Sequence, residues 1–301
     1  MQELHNLVAR SSWAQLHSTG RKSPSERPGN NDLLEICTAI RRNILLMTSE
    51  VNSGHPGGSL SATEILATLY YKIMNHDPKD PGWSERDRFV MSKAHASPVV
   101  YAALADCGYF PVEELLTFRK IDSRLQGHTH IMTPGVEFSG GSLGQGLSYS
   151  VGLALAARLD ELDYQVFTVI GDGECDEGSI WEAAMSASHY DLSNLVVILD
   201  RNRIQNDRFT SEVMELEPLP EKWQSFGWYV QECDGHDVPS LLQAFAAALE
   251  NNEGPSIIIA HTVKGKGVSF MENNPAFHGK AANADELQVG LSELTFKIQG
   301  D

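Results

Sequence analysis

Two polar residues placed just past apolar runs carry the clearest chemistry in this chain. Val169-Ile170 leads into Gly171-Asp172-Gly173, and Ile198-Leu199 leads into Asp200-Arg201-Asn202-Arg203-Ile204. Asp172 and Asn202 therefore stand 30 positions apart, each beyond the carboxyl end of a candidate strand, and one strand–helix–strand unit spans that distance. If the strands are neighbours, a carboxylate and a side-chain amide meet at the edge of the sheet where open α/β folds bind ligands. Hard divalent ions such as Mg²⁺ or Ca²⁺ take such oxygens, and phosphate oxygens of a ligand usually complete the shell. Gly171 and Gly173 would let a phosphate approach the backbone, with a following helix presenting its N-terminus. The same residues also suit a plain Gly-Asp-Gly turn capped by Asp172.

Two further groups of residues invite the same reading. Gly140-Gly141-Ser142-Leu143-Gly144-Gln145-Gly146 runs straight into a helical segment, a geometry that cradles anions on backbone N–H groups, although for this loop taken alone tight packing through Gly and Ser is the readier explanation. His55, His95, His128 and His278 each lie in or beside a turn. Imidazoles on loops over a sheet can relay protons or bind hydroxyl oxygens, and each one taken singly can also be an ordinary structural histidine.

The elements that must position these groups are legible as alternation. Val166–Ile170, Leu195–Leu199 and Ser256–Ala260 are continuous, β-branched runs, as expected of strands buried on both faces. Helical patterns run from Asp32 to about Asn52, from Gly144 to Leu162, from Gly178 to Tyr190 and from Pro239 to Asn251. Ser61-Ala62-Thr63-Glu64 has capping-box spacing for another helix, and Pro98 suits a first turn. The expected fold is α/β, a doubly wound, mainly parallel sheet with helices on both faces and right-handed crossovers. Residues 1–30, rich in turn formers towards their end, read as a flexible leader, and 31–301 as a single domain.

Composition narrows the partners. The chain has 301 residues, with 23 Lys+Arg against 40 Asp+Glu and a formal charge of −17, a field that repels nucleic acid and anionic membranes. A polyphosphate ligand would need a divalent cation or a ring of N–H groups and histidines to be held here. Four cysteines at spacings of 70, 68 and 58 suggest neither a disulfide framework nor a zinc knuckle. No signal-type leader or membrane-length apolar run is present, which reads as cytoplasmic.

Five motifs in order resemble those of the transketolase family: Gly54-His55-Pro56-Gly57-Gly58-Ser59, Ser92-Lys93-Ala94-His95-Ala96, Gly141-Ser142-Leu143-Gly144-Gln145-Gly146, Gly171-Asp172-Gly173-Glu174-Cys175-Asp176-Glu177-Gly178 and Leu199-Asp200-Arg201-Asn202-Arg203-Ile204. The resemblance runs from about residue 32 to 285 and implies the diphosphate-binding domain of a thiamine diphosphate enzyme. It implies that Asp172, Asn202 and the Ile204 carbonyl hold Mg²⁺ or Ca²⁺. Thiamine diphosphate would be lined by His95, Gly141, Ser142, Leu143, Gly173, Lys264 and His278. His55, His128 and His278 would face the sugar and handle its hydroxyl protons, and Glu177 would sit in a carboxylate pair at a dimer interface. Gly58 and Thr129 depart from the residues that relatives commonly carry at those positions. In the family, the glutamate that activates the cofactor and the arginines that grip sugar phosphate belong to a second domain. The expectation is therefore an N-terminal transketolase subunit that needs a separate C-terminal subunit, in a 2:2 assembly, and acts on sugar phosphates. The alternatives are another thiamine diphosphate enzyme, such as a 1-deoxyxylulose-5-phosphate synthase, a dehydrogenase E1 component or a transketolase for unusual or sulfonated sugars, or a non-catalytic cofactor-binding subunit.

Overall fold

Among the described residues seven strands follow one another: β1 (Arg88–Met91), β2 (Val166–Gly171), β3 (Leu195–Arg201), β4 (Ile204–Gln205), β5 (Arg208–Phe209), β6 (Tyr229–Asp234) and β7 (Ser256–His261). The computed structural model describes residues 7–14 and 27–295. β4 and β5 form a small antiparallel hairpin, and the other five make one sheet of order β1-β2-β3-β7-β6. All of its pairings are parallel, as continuous apolar runs predict.

The helices are α1 (Asn30–Glu50), α2 (Pro56–Ser61), α3 (Thr63–Thr68), α4 (Ser97–Cys107), α5 (Gln145–Leu159), α6 (Gly178–His189), α7 (Thr210–Val213), α8 (Leu219–Ser225), α9 (Val238–Glu250) and α10 (Ala284–Glu293). Side chains alternate across a strand. Phe167, Val169, Val196, Ile198 and Ile258 accordingly join one core with residues of α1, α3, α4 and α9. Val166, Ile170, Val197, Leu199, Ile257 and Ile259 join a second core with α5, α6 and α8. The sheet is thus covered on both faces, as expected.

This winding creates the site. α6 carries the chain from β2 to β3 over one face, whereas α9 carries it from β6 to β7 over the other. The chain leaves β3 towards α8 on one face and leaves the neighbouring β7 towards α10 on the other, so the connections part at this point and leave a crevice beyond the carboxyl ends of the two strands.

One local expectation is corrected. Ser61 does not cap α3. It ends α2, and its Oγ donates to Asp200 Oδ2 (2.5 Å) instead, while Ala62 stands at the cap position. A 3-10 turn, Gly173–Asp176, follows Asp172, and α6 begins at Gly178, where the helical pattern places it. The expected leader falls largely outside the described residues. Of its described residues, 7–14 are packed: Ala9 N donates to Asn43 Oδ1 (2.9 Å) and Ser11 N to Asp106 Oδ1 (3.0 Å). Among the described residues no helix is long and apolar enough to cross a membrane.

Candidate active site

The floor of the crevice is made by the strand tips. β2 and β3 are in register so that Gly171 faces Asp200, and β3 and β7 so that Arg201 faces His261. Asp172, 2% exposed, therefore lies against the turn that follows β3. Its Oδ2 accepts from Arg201 Nη1 (3.2 Å) and from Arg203 N, and its Oδ1 from Gly173 N (2.8 Å). Asn202 Oδ1 accepts from Ile204 N (3.1 Å), while its Nδ2 donates to Asp200 Oδ2 (3.1 Å). The carboxylate after β2 is thus brought against the turn after β3 that carries the Asn202 amide and the Ile204 backbone, as the strand spacing predicts. At Gly173 a side chain is excluded by a close approach, since a Cβ there would stand 2.4 Å from Gln205 Cβ.

Two buried carboxylates that sequence reasoning passed over brace this floor. Asp200, wholly buried, pairs with Lys93 and accepts from Ser61 and Thr262 hydroxyls; Lys93 Nζ also donates to Gly58 O (2.8 Å). Burial opposes ionisation of Asp200, but Lys93 and the hydroxyls outweigh it and hold the carboxyl below its usual range. Glu174 Oε1 accepts from Ser92 Oγ (2.5 Å) and Gly144 N (2.8 Å), and Oε2 from Gly171 N (3.0 Å). One side chain thereby ties the tip of β2 and the segment after β1 to the glycine-rich loop. A signal for both existed: a charged residue at the end of a fully buried run must be paired.

Four histidines form a ring beside this floor. His55 follows Gly54 at the start of α2, His95 sits in the 3-10 turn Ala94–Ala96 after β1, and His278 follows the turn Pro275–Phe277. His128 is held by Tyr101, whose hydroxyl donates to its carbonyl (2.9 Å). Ring centroids lie 5.1 Å apart for His55 and His95, 5.4 Å for His55 and His278, 5.3 Å for His95 and His278, and 6.2 Å for His55 and His128. Four segments far apart in sequence are brought to one place.

Electrostatics keep the imidazoles neutral. Burial, with Arg119, His128 and Lys264 nearby, pushes His55 down to about 4. Burial, followed by Lys264, His55 and Lys93, pushes His278 down to about 3. His95 is lowered well below its ordinary value by burial and Lys93, and His128 is lowered by burial and Arg119. Lys264 joins ring and floor: its Nζ donates to Ile204 O (2.9 Å) and lies 2.8 Å from His278 Nδ1. An ammonium only donates, so Nδ1 accepts and the His278 proton sits on Nε2. Burial, against the pull of Asp172, brings Lys264 down to about 8. The segment that carries Lys264 is itself braced, because Val263 N donates to His236 Nε2 (2.8 Å) while His236 Nδ1 meets Glu64 Oε2 (2.9 Å).

Other candidates lie outward. Gly141 and Ser142 are exposed and Leu143 is half-buried at the entry to α5. Glu177 is exposed at the N-cap of α6, outside the histidine ring. Where a Cβ on Gly58 would stand, His95 Nε2 is 3.8 Å away, so the ring borders this glycine directly. Among the described residues no three His, Cys, Asp or Glu side chains cluster as a metal site. Any ion on the Asp172 turn would rest on one carboxylate plus neutral oxygens, a donor set suited to hard cations.

Comparison with known proteins matches this architecture. Residues 34–299 match the family profile described as "Transketolase, thiamine diphosphate binding domain". The chain is 44% identical over 264 residues to the 6-deoxy-6-sulfo-D-fructose transketolase subunit SqwG of Clostridium sp. (strain MSTE9), covering 87% of this chain and 96% of that one. It is 41% identical over 266 residues to a subunit of the apulose-4-phosphate transketolase of Actinobacillus succinogenes, covering 88% and 96%. The crystal structure of transketolase from Campylobacter jejuni superposes with a TM-score of 0.82 at 31% identity, covering 88% of this chain. Against that solved transketolase the chain spans 43% of the length. The chain belongs to the transketolase family, through its thiamine diphosphate binding domain.

Proposed function

We propose that this chain is the diphosphate-binding subunit of a transketolase dependent on thiamine diphosphate and a divalent cation. It would move a two-carbon ketol unit from a ketose phosphate to an aldose phosphate, together with a separate subunit that carries the pyrimidine-binding half, in a 2:2 assembly. The observation that carries this reading is the convergence of His55, His95, His128 and His278 beside the turn that holds Asp172 and Asn202. Relatives of matching length whose names call them transketolase subunits support the need for a partner.

The residues present fit both groups. Asp172 Oδ1 after β2, and Asn202 Oδ1 and the Ile204 carbonyl after β3, are hard oxygen donors, and the Asp172 carboxylate attracts positive charge, as it does the Lys264 ammonium that rests on that carbonyl. His55 Nδ1 is buried without a partner, a polar atom left for a ligand. Asp172, Asn202 and Ile204 would hold Mg²⁺ or Ca²⁺, while His95, Gly141, Ser142, Leu143, Gly173, Lys264 and His278 would line the cofactor. When bound, thiamine diphosphate supplies the carbon nucleophile. The chain's own part is to orient the sugar and to move protons. His55 and His128, kept neutral by burial and nearby cations, can each accept a hydroxyl proton and return it, while His278, whose Nδ1 is taken by Lys264, would face the sugar with its Nε2–H as a hydrogen-bond donor. Glu177, at the exposed start of α6, would meet its counterpart in a second copy.

Titration calorimetry of the chain with its partner should show thiamine diphosphate binding that requires Mg²⁺; metal-independent or absent binding overturns the cofactor reading. Ketol transfer is expected only when both subunits are present, and robust turnover by the chain alone overturns the two-subunit reading. A sulfonated ketose is the second candidate donor, favoured by the name of the 44%-identical relative.

A further inference from the structure

Three cations occur within six positions of the loop that leads to His128, and two of them are matched. Lys120 Nζ pairs with Glu50 Oε1 at 2.7 Å, and Arg124 forks onto both oxygens of Glu114 at 2.6 and 2.8 Å. Arg119 makes no ion pair among the described residues. Its Nη1 donates to Ser53 Oγ (2.6 Å), and its Nε is buried with no acceptor at all. In a chain with 40 acidic residues against 23 basic ones, an internal counter-charge was readily available.

The backbone and its neighbours hold Arg119 in this state. Its φ of +56° lies in the left-handed region, an uncommon conformation for an arginine and one that concentrates at functional sites. The guanidinium lies against Gly127, where a Cβ would come within 2.5 Å of Nε and 2.6 Å of Nη2, so only glycine leaves it room. Gly127 immediately precedes His128, and the Arg119 charge is felt at both His128 and His55. A guanidinium that lies over the Phe118 ring (5.5 Å to the centroid) but has no carboxylate partner among the described residues is therefore held beside two histidines of the ring.

We propose that Arg119 is a specificity residue through which this chain meets the tetrahedral oxyanion end of the sugar substrate, a phosphate or a sulfonate, at the rim of the histidine ring. The inference rests on the ketol-transfer reading above. A guanidinium presents a planar fork of donors that matches such groups, keeps its charge at any physiological pH, and is only half-buried here. An uncharged sugar offers it nothing of equal strength.

The test uses the complete complex of both subunits and measures kcat/KM for an oxyanion-ended sugar divided by kcat/KM for its uncharged counterpart. Arg119→Asn removes the charge while tolerating the left-handed backbone, and Arg119→Lys restores a charge without the fork. The ratio should fall about ten- to a hundredfold in Arg119→Asn, as expected for one charge-assisted hydrogen bond, and recover in part in Arg119→Lys. Running phosphate-ended and sulfonate-ended sugars in parallel identifies the source by the larger fall, and the inhibition constant of inorganic phosphate should rise in Arg119→Asn. A ratio unchanged within twofold for both oxyanions, or an equal fall for charged and uncharged sugars, overturns the inference while leaving ketol transfer standing. Absence of any transfer by the wild-type complex overturns the proposed function, and this inference with it.

Discussion

At the strand tips buried charges are matched: Lys93 with Asp200, Arg201 with Asp172, and Glu174 with two backbone amides and a hydroxyl. At the rim they are not, and His55 Nδ1 and Arg119 Nε are both buried without a partner. A satisfied network contributes rigidity and fixes the geometry of the Asp172 turn before any ligand arrives. An unsatisfied one costs stability, and such costs collect where a protein binds or reacts. Floor and rim, a few ångströms apart, therefore serve different ends: the one holds the fold, the other waits for chemistry.

Breaking the floor should have the largest effect on stability. Lys93→Met leaves Asp200 buried without its counter-charge, and a loss of about 3–5 kcal/mol is expected in urea denaturation. A loss below about 1 kcal/mol would erase the contrast, because rim-like costs would then apply to the floor as well. Glu174→Gln is next. The amide keeps the shape but offers one oxygen in place of two, leaving one of the three donors from Ser92, Gly144 and Gly171 unmatched, for about 1–3 kcal/mol. Thiamine diphosphate affinity should fall with it, since Gly144 N anchors the glycine-rich loop; unchanged affinity would show that the loop holds its place without this clamp.

The rim makes the smallest contribution, and it has a sign. His55 and His278 titrate at about 4 and about 3 in the folded chain, against 6.5 for a free imidazole. Between those values the unfolded chain binds more protons than the folded one, so these groups make stability rise with pH from roughly pH 3 to 6.5 and contribute no slope above it. Melting temperature followed over that range should climb less steeply in His278→Gln. An identical slope would mean that the ring is not carrying desolvated, neutral imidazoles.

The α/β alternation was legible because β2, β3 and β7 are long, β-branched and buried along their length, a pattern no surface element imitates. β1 escaped because it is only four residues long and opens on an arginine. β6 escaped because it is a half-exposed edge strand that carries Gln231 and Glu232. Ser61 shows a different failure. Its spacing to Glu64 is that of a cap, but Asp200, 139 positions away, takes its hydroxyl, and a long-range partner overrides a local rule. In the site, the meeting of Asp172 with the Asn202 turn followed from strand spacing alone. The meeting of four histidines did not, because residues 55, 95, 128 and 278 sit on unrelated turns whose convergence only the tertiary fold decides. Arg119 left no mark in the sequence: its absent counter-charge is a fact of three dimensions.

The short segment around Ser11 reaches further than its size suggests. Ser11 gives its amide and its hydroxyl to Asp106, on which Tyr71 also converges, and Ala9 exchanges both backbone hydrogen bonds with the Asn43 amide. A shortened version beginning at α1, the boundary an engineer would choose by eye, would leave Asp106 without its two bonds from Ser11 and strip the Asn43 carboxamide of both bonds to Ala9, inside buried helix packing. Expression trials with such a truncation should give a softer, more aggregation-prone product. The stretch that looks dispensable is better regarded as a plug in the wall of the helical layer.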